Sequence, residues 1–144
     1  MLFEAFFWNP AFLRPALSEF RGNNEFAKLL SGWSRKGDWA AIAEDSGGRT
    51  GAAWFRLWTP ARHSYGFVDA DTPELGLAVS TNNRRQGVGR ALMRALIAQA
   101  RADGYPALSL SVDPDNPSRV LYEALGFQPA GTSGTSWTLR LPFW

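Results

Sequence analysis

The chain has 144 residues, of which 45% are hydrophobic and 19% are charged; this composition suits one folded domain with a single core and excludes a disordered chain. Its formal net charge is only +2, which argues against the broad basic face of a nucleic-acid-binding protein. There is no cysteine and one histidine, His63, so disulfides, thiolate metal sites and a cysteine nucleophile are excluded, and we expect no metal centre.

Positive charge is concentrated in one part of the sequence. Four of the arginines fall close together, namely Arg84, Arg85, Arg90 and Arg94. A compact cluster of guanidinium groups favours a small anionic ligand, since these groups match phosphate oxygens. The apolar opening has no basic flank, carries Glu4 and ends in Pro10, so it predicts neither a signal peptide nor a membrane span. We expect one cytoplasmic domain over residues 1–144, with no nucleic-acid or membrane partner.

The first predicted elements are two helices and a hairpin. Apolar residues recur every three or four positions over residues 10–20 and 24–35, and Gly37 follows as a stop. Two short apolar segments, at residues 39–44 and 51–59, flank Asp45-Ser46-Gly47-Gly48, which is a typical turn sequence. This pattern predicts an antiparallel hairpin.

The centre of the chain predicts a strand, a helix and a strand, at residues 74–80, 88–103 and 107–113. Because a helix connects them, the two strands should be parallel. Arg90, Arg94 and Arg101 form one stripe of this helix, so we expect only one edge of it to face water. Asn116-Pro117 begins a second short helix that Gly126 ends, and residues 136–141 form a last strand. Together these elements predict an α/β fold of the α+β kind, with a central mixed sheet and helices on both faces.

The segment from Val79 to Leu92 has the features of an anion cradle, because it runs from a strand end through a glycine-spaced turn into a helix. The first turn of a helix presents N–H groups without internal partners, at the positive end of the helix dipole. Gly87 and Gly89 let the backbone approach a ligand. A nucleotide P-loop would end in Gly-Lys-Ser/Thr where this chain has Gly-Arg-Ala, and a dinucleotide fingerprint would have a small residue in place of Leu92.

Two motifs together resemble those of the GNAT superfamily of N-acetyltransferases. The first is Arg84-x-x-Gly87-x-Gly89 after a strand ending in Val79, and the second is the block at residues 116–127, NPSRVLYEALGF, after the next strand. Their order is similar to the family's over about residues 75–127, and the second block matches the family's motif with its spacing adjusted. The resemblance implies the GNAT acyl-CoA N-acyltransferase fold, with acetyl-CoA as the cosubstrate.

The resemblance also implies the residues that bind the coenzyme. Backbone groups of Leu77, Ala78 and Val79 would bind the acetyl carbonyl and the pantetheine arm, and a fixed N–H there would stabilise the oxyanion formed by amine attack. The other coenzyme-binding residues lie at the starts of the two later helices: Arg84, Arg85, Gln86, Gly87, Val88, Gly89, Arg90, Asn116 and Ser118.

Tyr122 is the candidate general acid, since coenzyme A leaves as a thiolate that a phenol can protonate. It should lie at the margin of its helix beside Ser118; a core tyrosine with an ordinary hydrogen bond is the alternative. The predicted apolar stripe of this helix comprises Val120, Leu121, Ala124 and Leu125.

Glu74, at the start of the central strand, is the candidate general base, by resemblance to a position that some relatives use through water. A solvated strand-end glutamate is the alternative, and Asp69 and Asp71 in the preceding loop are further candidates. His63 is expected in an exposed loop, without a role.

The expected activity is transfer of the acetyl group from acetyl-CoA to a primary amine by direct attack. A small-molecule amine, a protein N-terminus or a lysine would each suit this fold as acceptor, and no residue selects among them. Two alternatives stay open: a GNAT-fold module that binds acyl-CoA without turnover, and an unrelated nucleotide binder that uses the same glycine turn. The resemblance also allows a homodimer.

Overall fold

Residues 31–144 are described by a computed structural model. This part of the chain forms six strands and two α-helices, in the order β1 (Trp39–Asp45), β2 (Gly48–Arg56), β3 (Glu74–Val79), α1 (Val88–Ala102), β4 (Ala107–Val112), α2 (Ser118–Ala124), β5 (Gln128–Ser133) and β6 (Ser136–Pro142). A single 3-10 turn, Thr81–Asn83, lies between β3 and α1. The strands make one mixed sheet in the order β1-β2-β3-β4-β6-β5, which confirms the predicted fold class.

The predicted N-terminal helices fall mostly outside the described residues. This is true of residues 10–20 and of residues 24–30. Residues 31–35 form turns and a bend instead of the predicted helix end. Gly32 and Ser34 have φ values of 66° and 80°, and residues in this left-handed conformation end an α-helix.

The hairpin forms where the sequence predicts it. β1 and β2 pair antiparallel, and Asp45 Oδ1 accepts a hydrogen bond of 2.7 Å from the Gly47 N–H, which closes the turn. β2 starts at Gly48 and ends at Arg56, three residues before the predicted start and end of that strand.

The central strands β3 and β4 are parallel, as predicted, but they share only one register pair, Glu74 with Ser109. On its other edge β3 pairs with β2 along its whole length, from Glu74 to Val79. β3 and β4 therefore separate beyond Glu74, and the sheet opens a cleft between them.

The core lies between the sheet and the helices. α1 buries Leu92, Met93, Leu96 and Ala100, while strand side chains such as Phe55, Leu108 and Leu139 are almost fully buried against them. The predicted narrow water-facing edge of α1 is wrong, because Ala91, Ala95 and Ala98 are exposed as well as the arginines. An alanine side chain is small enough that its exposure costs little.

The predicted apolar stripe of α2 is also wrong. Val120 is 68% exposed and Ala124 is exposed, whereas Tyr122 is buried and Leu121 and Leu125 are half-buried. α2 has only seven residues and carries apolar side chains on two sides. Which of these sides is buried therefore depends on what the helix packs against. Sequence analysis also missed β5, since its residues are almost all exposed and carry no strand pattern.

Candidate active site

A cleft of about 870 Å³ begins where β3 and β4 separate. It is lined by twelve of the fourteen residues that sequence analysis assigned to the site: Glu74, Leu77, Ala78, Val79, Arg84, Arg85, Gly87, Gly89, Arg90, Asn116, Ser118 and Tyr122. Gln86 and Val88 instead line a shallower depression on the other side of the loop. The Gln86 side chain donates a hydrogen bond of 3.2 Å to the Asn82 carbonyl. The structure therefore brings together residues from three separate segments of the chain: β3, the loop that leads into α1, and α2 with the residues before it.

One end of the cleft is the N-terminus of α1. Its first turn contains no acidic residue and its N-cap, Gly87, supplies no capping side chain. The positive end of the helix dipole is thus left uncompensated by local side chains, as an anion site requires. The side chains of Arg84, Arg85 and Arg90 line the same end.

The loop before α1 has a specific backbone conformation. Arg85 and Gly87 have φ values of 62° and 82°, and a left-handed arginine is held there by its surroundings at some cost. The Arg84 Nε donates a hydrogen bond of 3.2 Å to the Val79 carbonyl and so ties the loop to the end of β3. A Cβ at Gly87 would meet no atom within 4 Å, so Gly87 is needed for its φ angle and not for space.

The strand β3 presents its side chains and its backbone to different partners. Gly89 of α1 is close to Leu77 and Val79, since a Cβ at Gly89 would lie 3.7 Å from each side chain. Those two side chains therefore pack toward α1. Because the ladder to β4 ends at Glu74, the backbone edge of Leu77, Ala78 and Val79 faces the cleft.

Tyr122 lies on the wall of the cleft and is only 6% exposed. Burial raises the pKa of its phenol well above the ordinary value, while a hydrogen bond with the Ser118 side chain acts in the opposite direction. The phenol therefore keeps its proton at neutral pH, as a general acid must. The placement beside Ser118 is as predicted, but the ring is buried and not marginal.

Glu74 lies at the point where β3 and β4 separate. Its side chain is buried, and Oε1 accepts a hydrogen bond of 2.9 Å from the Gly66 N–H. Arg56 of β2 is its direct cross-strand neighbour. The alternative of a solvated strand-end glutamate is therefore wrong. Asp69 and Asp71 are exposed and do not line the cleft.

Asn116 is the predicted N-cap of α2, but the helix begins one residue later than predicted and Pro117 takes the cap position. Asn116 instead closes the turn that leads into the helix: its Oδ1 accepts a hydrogen bond of 2.9 Å from the Ser118 N–H, and its carbonyl accepts one of 3.0 Å from the Arg119 N–H. Asn116 also lines the cleft, so these hydrogen bonds and a ligand contact are compatible. His63 is in an exposed loop, also as predicted, and its ring stacks on Phe67 with centroids 4.5 Å apart.

The other end of the cleft is formed by residues that sequence analysis missed: Trp54, Arg56, Trp58, Ser64 and Tyr65. Trp54 and Arg56 alternate along β2 and stand opposite Gly76 and Glu74 of β3. Because side chains alternate along a strand, Trp54 and Arg56 lie on the same face of the sheet. Their place in the cleft can be predicted only once the register between β2 and β3 is known.

These features together describe a mixed α/β sheet whose parallel central strands separate in front of a helix N-terminus that has no side-chain cap. The chain belongs to the acetyltransferase (GNAT) family, whose family model matches residues 6–127. It is 41% identical over 56 residues to the probable N-acetyltransferase family 8 member 5 of Mus musculus, and this match spans 38% of the chain and 25% of the mouse protein. The chain thus spans about a quarter of the length of this curated relative.

Two solved structures show the same fold. The PaiA N-acetyltransferase of Thermoplasma acidophilum, in complex with coenzyme A, has a TM-score of 0.71 at 14% identity, covering 97% of this chain and 87% of that one. The ribosomal-protein-alanine N-acetyltransferase of Brucella melitensis has a TM-score of 0.65 at 22% identity, covering 81% and 76%. Within residues 31–144, none of the helices has the length and apolar character needed to cross a membrane.

Proposed function

We propose that residues 1–144 form an N-acetyltransferase domain that moves the acetyl group of acetyl-CoA to a primary amine by direct attack. The observation that carries the proposal is one continuous cleft that joins the uncapped N-terminus of α1 to Tyr122 and Glu74. Family membership supports acetyl transfer in general, and the coenzyme A complex of the Thermoplasma acidophilum protein supports acetyl-CoA as the cosubstrate.

In this proposal the diphosphate of the coenzyme lies at the loop from Arg84 to Arg90. The N–H groups of the first turn of α1 hold its oxygens, and the arginine side chains add charge. The pantetheine arm runs along the open edge of β3, where the backbone of Leu77, Ala78 and Val79 binds the acetyl carbonyl. Asn116 and Ser118 flank the arm from the start of α2.

Glu74 is the general base in this scheme and Tyr122 the general acid. The acceptor ammonium gives one proton to Glu74, and the amine nitrogen forms a bond to the thioester carbon. The carbon–sulfur bond then breaks, and the thiolate takes the Tyr122 proton. The second nitrogen proton restores the tyrosine through water and Glu74 releases its proton, so the products are an N-acetyl amine, coenzyme A and one proton.

Thiol release from acetyl-CoA, measured across a panel of amines, tests the proposal together with calorimetric titration of coenzyme A. We expect saturable binding of coenzyme A and amine-dependent thiol release. Binding without release on any amine would instead identify a non-catalytic acyl-CoA-binding module. Displacement of acetyl-CoA by ATP or NAD would identify a nucleotide binder.

A further inference from the structure

We propose that the acceptor is an arylalkylamine, that is, a primary amine joined through a short alkyl chain to an aromatic ring. This inference rests on the proposed function and concerns the end of the cleft away from the α1 N-terminus. It is carried by the position of Trp54, by the exposure of the neighbouring rings and by the single carboxylate, Glu74, that the described residues place at that end.

Trp54 lies directly over the backbone of β3. Its register partner is Gly76, and a Cβ added at Gly76 would come within 2.4 Å of the indole Cζ2. Only a glycine allows this close approach. Gly76 immediately precedes Leu77, where the acetyl carbonyl is proposed to bind. A flat aromatic surface therefore borders the reacting centre.

Among residues 31–144, three aromatic side chains line this end of the cleft, and they differ in what they offer a ligand. Trp58 is 5% exposed, and its ring is already covered by the guanidinium groups of Arg35 and Arg56, at 5.2 and 5.7 Å from the centroid. Tyr65 is 40% exposed and Trp54 is half-buried. The accessible aromatic surface is thus that of Trp54 and Tyr65, and a ring on the acceptor gains by stacking there.

The Glu74 carboxylate provides a negative charge for an ammonium group close to the aromatic surface of Trp54. It precedes Gly76 by two residues on β3, so the two positions share a face and lie about 7 Å apart. An amine bound at Glu74 with its ring against Trp54 would need only a short alkyl connection. The cation and the ring would then each have a matching partner.

The acceptor end of the cleft offers one carboxylate to an ammonium group. Among the described residues that line the cleft, two are acidic, Glu74 and Asp113, and Asp113 follows the end of β4, close to the start of α2. The arginines of the loop before α1 are those proposed to hold the coenzyme phosphates. Glu74 therefore matches one ammonium, whereas the further ammonium groups of a polyamine or an aminoglycoside have no second carboxylate among the described residues at that end. The products of the step are an N-acetyl arylalkylamine, coenzyme A and one proton.

The test compares 2-phenylethylamine, butylamine and spermidine as ligands of the protein saturated with coenzyme A, and as acceptors in the thiol-release assay. We expect 2-phenylethylamine to bind about tenfold more tightly than butylamine, from the added ring contacts, and spermidine to bind no better than butylamine. Equal binding of the three amines, or tighter binding of spermidine, would overturn the inference.

The measurement of amine binding distinguishes a failure of this inference from a failure of the proposed function. A preference for 2-phenylethylamine without thiol release would support the aromatic site and contradict the enzyme. Thiol release with butylamine at the same kcat/KM as with 2-phenylethylamine would support the enzyme and contradict the aromatic site. Absence of both amine binding and thiol release would overturn the two together.

Three variants test whether Trp54 causes the preference for 2-phenylethylamine over butylamine. Trp54→Leu should reduce the ratio of 2-phenylethylamine to butylamine affinity to near one, and Trp54→Phe should keep most of it. Trp144→Leu removes an indole that is 80% exposed outside the cleft and should leave the ratio unchanged. Coenzyme A affinity equal to that of the wild type shows that each variant is folded. A wild-type ratio in folded Trp54→Leu would contradict the assignment.

Discussion

The Arg56 guanidinium donates two hydrogen bonds to the Asp38 carboxylate, at 2.8 and 2.9 Å, and both side chains are almost fully buried. Removing one partner of such a pair leaves an uncompensated buried charge. We expect Asp38→Ala to lower the free energy of unfolding by about 3–5 kcal/mol, measured by urea denaturation.

The exposed ion pair between Arg49 and Glu44, at 3.6 Å, provides the control for that experiment. Because water screens both of its side chains, Glu44→Ala should change stability by less than about 1 kcal/mol. Similar effects of the two substitutions would show that the buried pair contributes no more than a surface contact.

Substitutions at Gly87, whose φ is 82°, test the proposal that the loop from Arg84 to Arg90 binds the coenzyme diphosphate. Gly87→Val places a β-branched residue in a conformation that it strongly disfavours, whereas asparagine tolerates it. We expect Gly87→Val to weaken coenzyme A binding at least about tenfold, and Gly87→Asn to retain most of the affinity, both measured by calorimetry. Wild-type affinity in a folded Gly87→Val protein would contradict the proposed diphosphate site.

Tyr122→Phe tests the general acid with little change in packing volume. If the phenol protonates the leaving thiolate, kcat should fall about 10²-fold or more, while the affinity for coenzyme A stays the same. Single-turnover thiol release with a fixed amine measures the first quantity and calorimetry the second. An unchanged kcat would remove Tyr122 from the mechanism and leave it a core residue.

Tyr122 also predicts a dependence of stability on pH. Burial raises the pKa of its phenol above the ordinary value of about 10, so the folded state keeps the proton at a pH where the unfolded chain loses it. The resulting stability is present below pH 10 and is lost as the pH rises through the folded-state pKa. Urea denaturation between pH 8 and about 11 should show a smaller decline for Tyr122→Phe than for the wild type.

Glu74→Gln tests the general base. The amide oxygen of glutamine can still accept the hydrogen bond from the Gly66 N–H, so the fold should be kept while the base is lost. We expect kcat/KM to fall by about 10²-fold and the acidic limb of the pH–rate profile to disappear. Retention of that limb in the variant would assign it to another group.

The two jobs of Asn116 can be separated by two substitutions. Asn116→Ala removes the hydrogen bond that Oδ1 accepts from the Ser118 N–H and should cost about 1 kcal/mol of stability. Asn116→Asp keeps that acceptor but introduces a negative charge beside the proposed coenzyme arm, so it should preserve stability and weaken coenzyme A binding. Equal coenzyme affinity of Asn116→Asp and wild type would leave Asn116 with the structural role alone.

The elements with strong local signals were predicted well from the sequence. The sequence pattern of each of these elements lies within a few neighbouring residues. They are the periodic helix Val88–Ala102, the strands on either side of it and the glycine loop between Val79 and Val88. The predicted bounds of these elements differ from the observed ones by one residue. β5 was missed because an exposed edge strand needs neither alternation nor apolar residues.

The succession of a strand, a glycine turn and a helix follows from the amino-acid sequence alone, because backbone conformation and helix polarity are local properties. The burial of Tyr122 and the exposure of Val120 depend instead on packing, since a two-turn helix takes its buried side from what it packs against. The tertiary structure alone also places Trp54 over Gly76 and Arg56 opposite Glu74. Cross-strand register depends on pairing between distant segments, and no single segment encodes it.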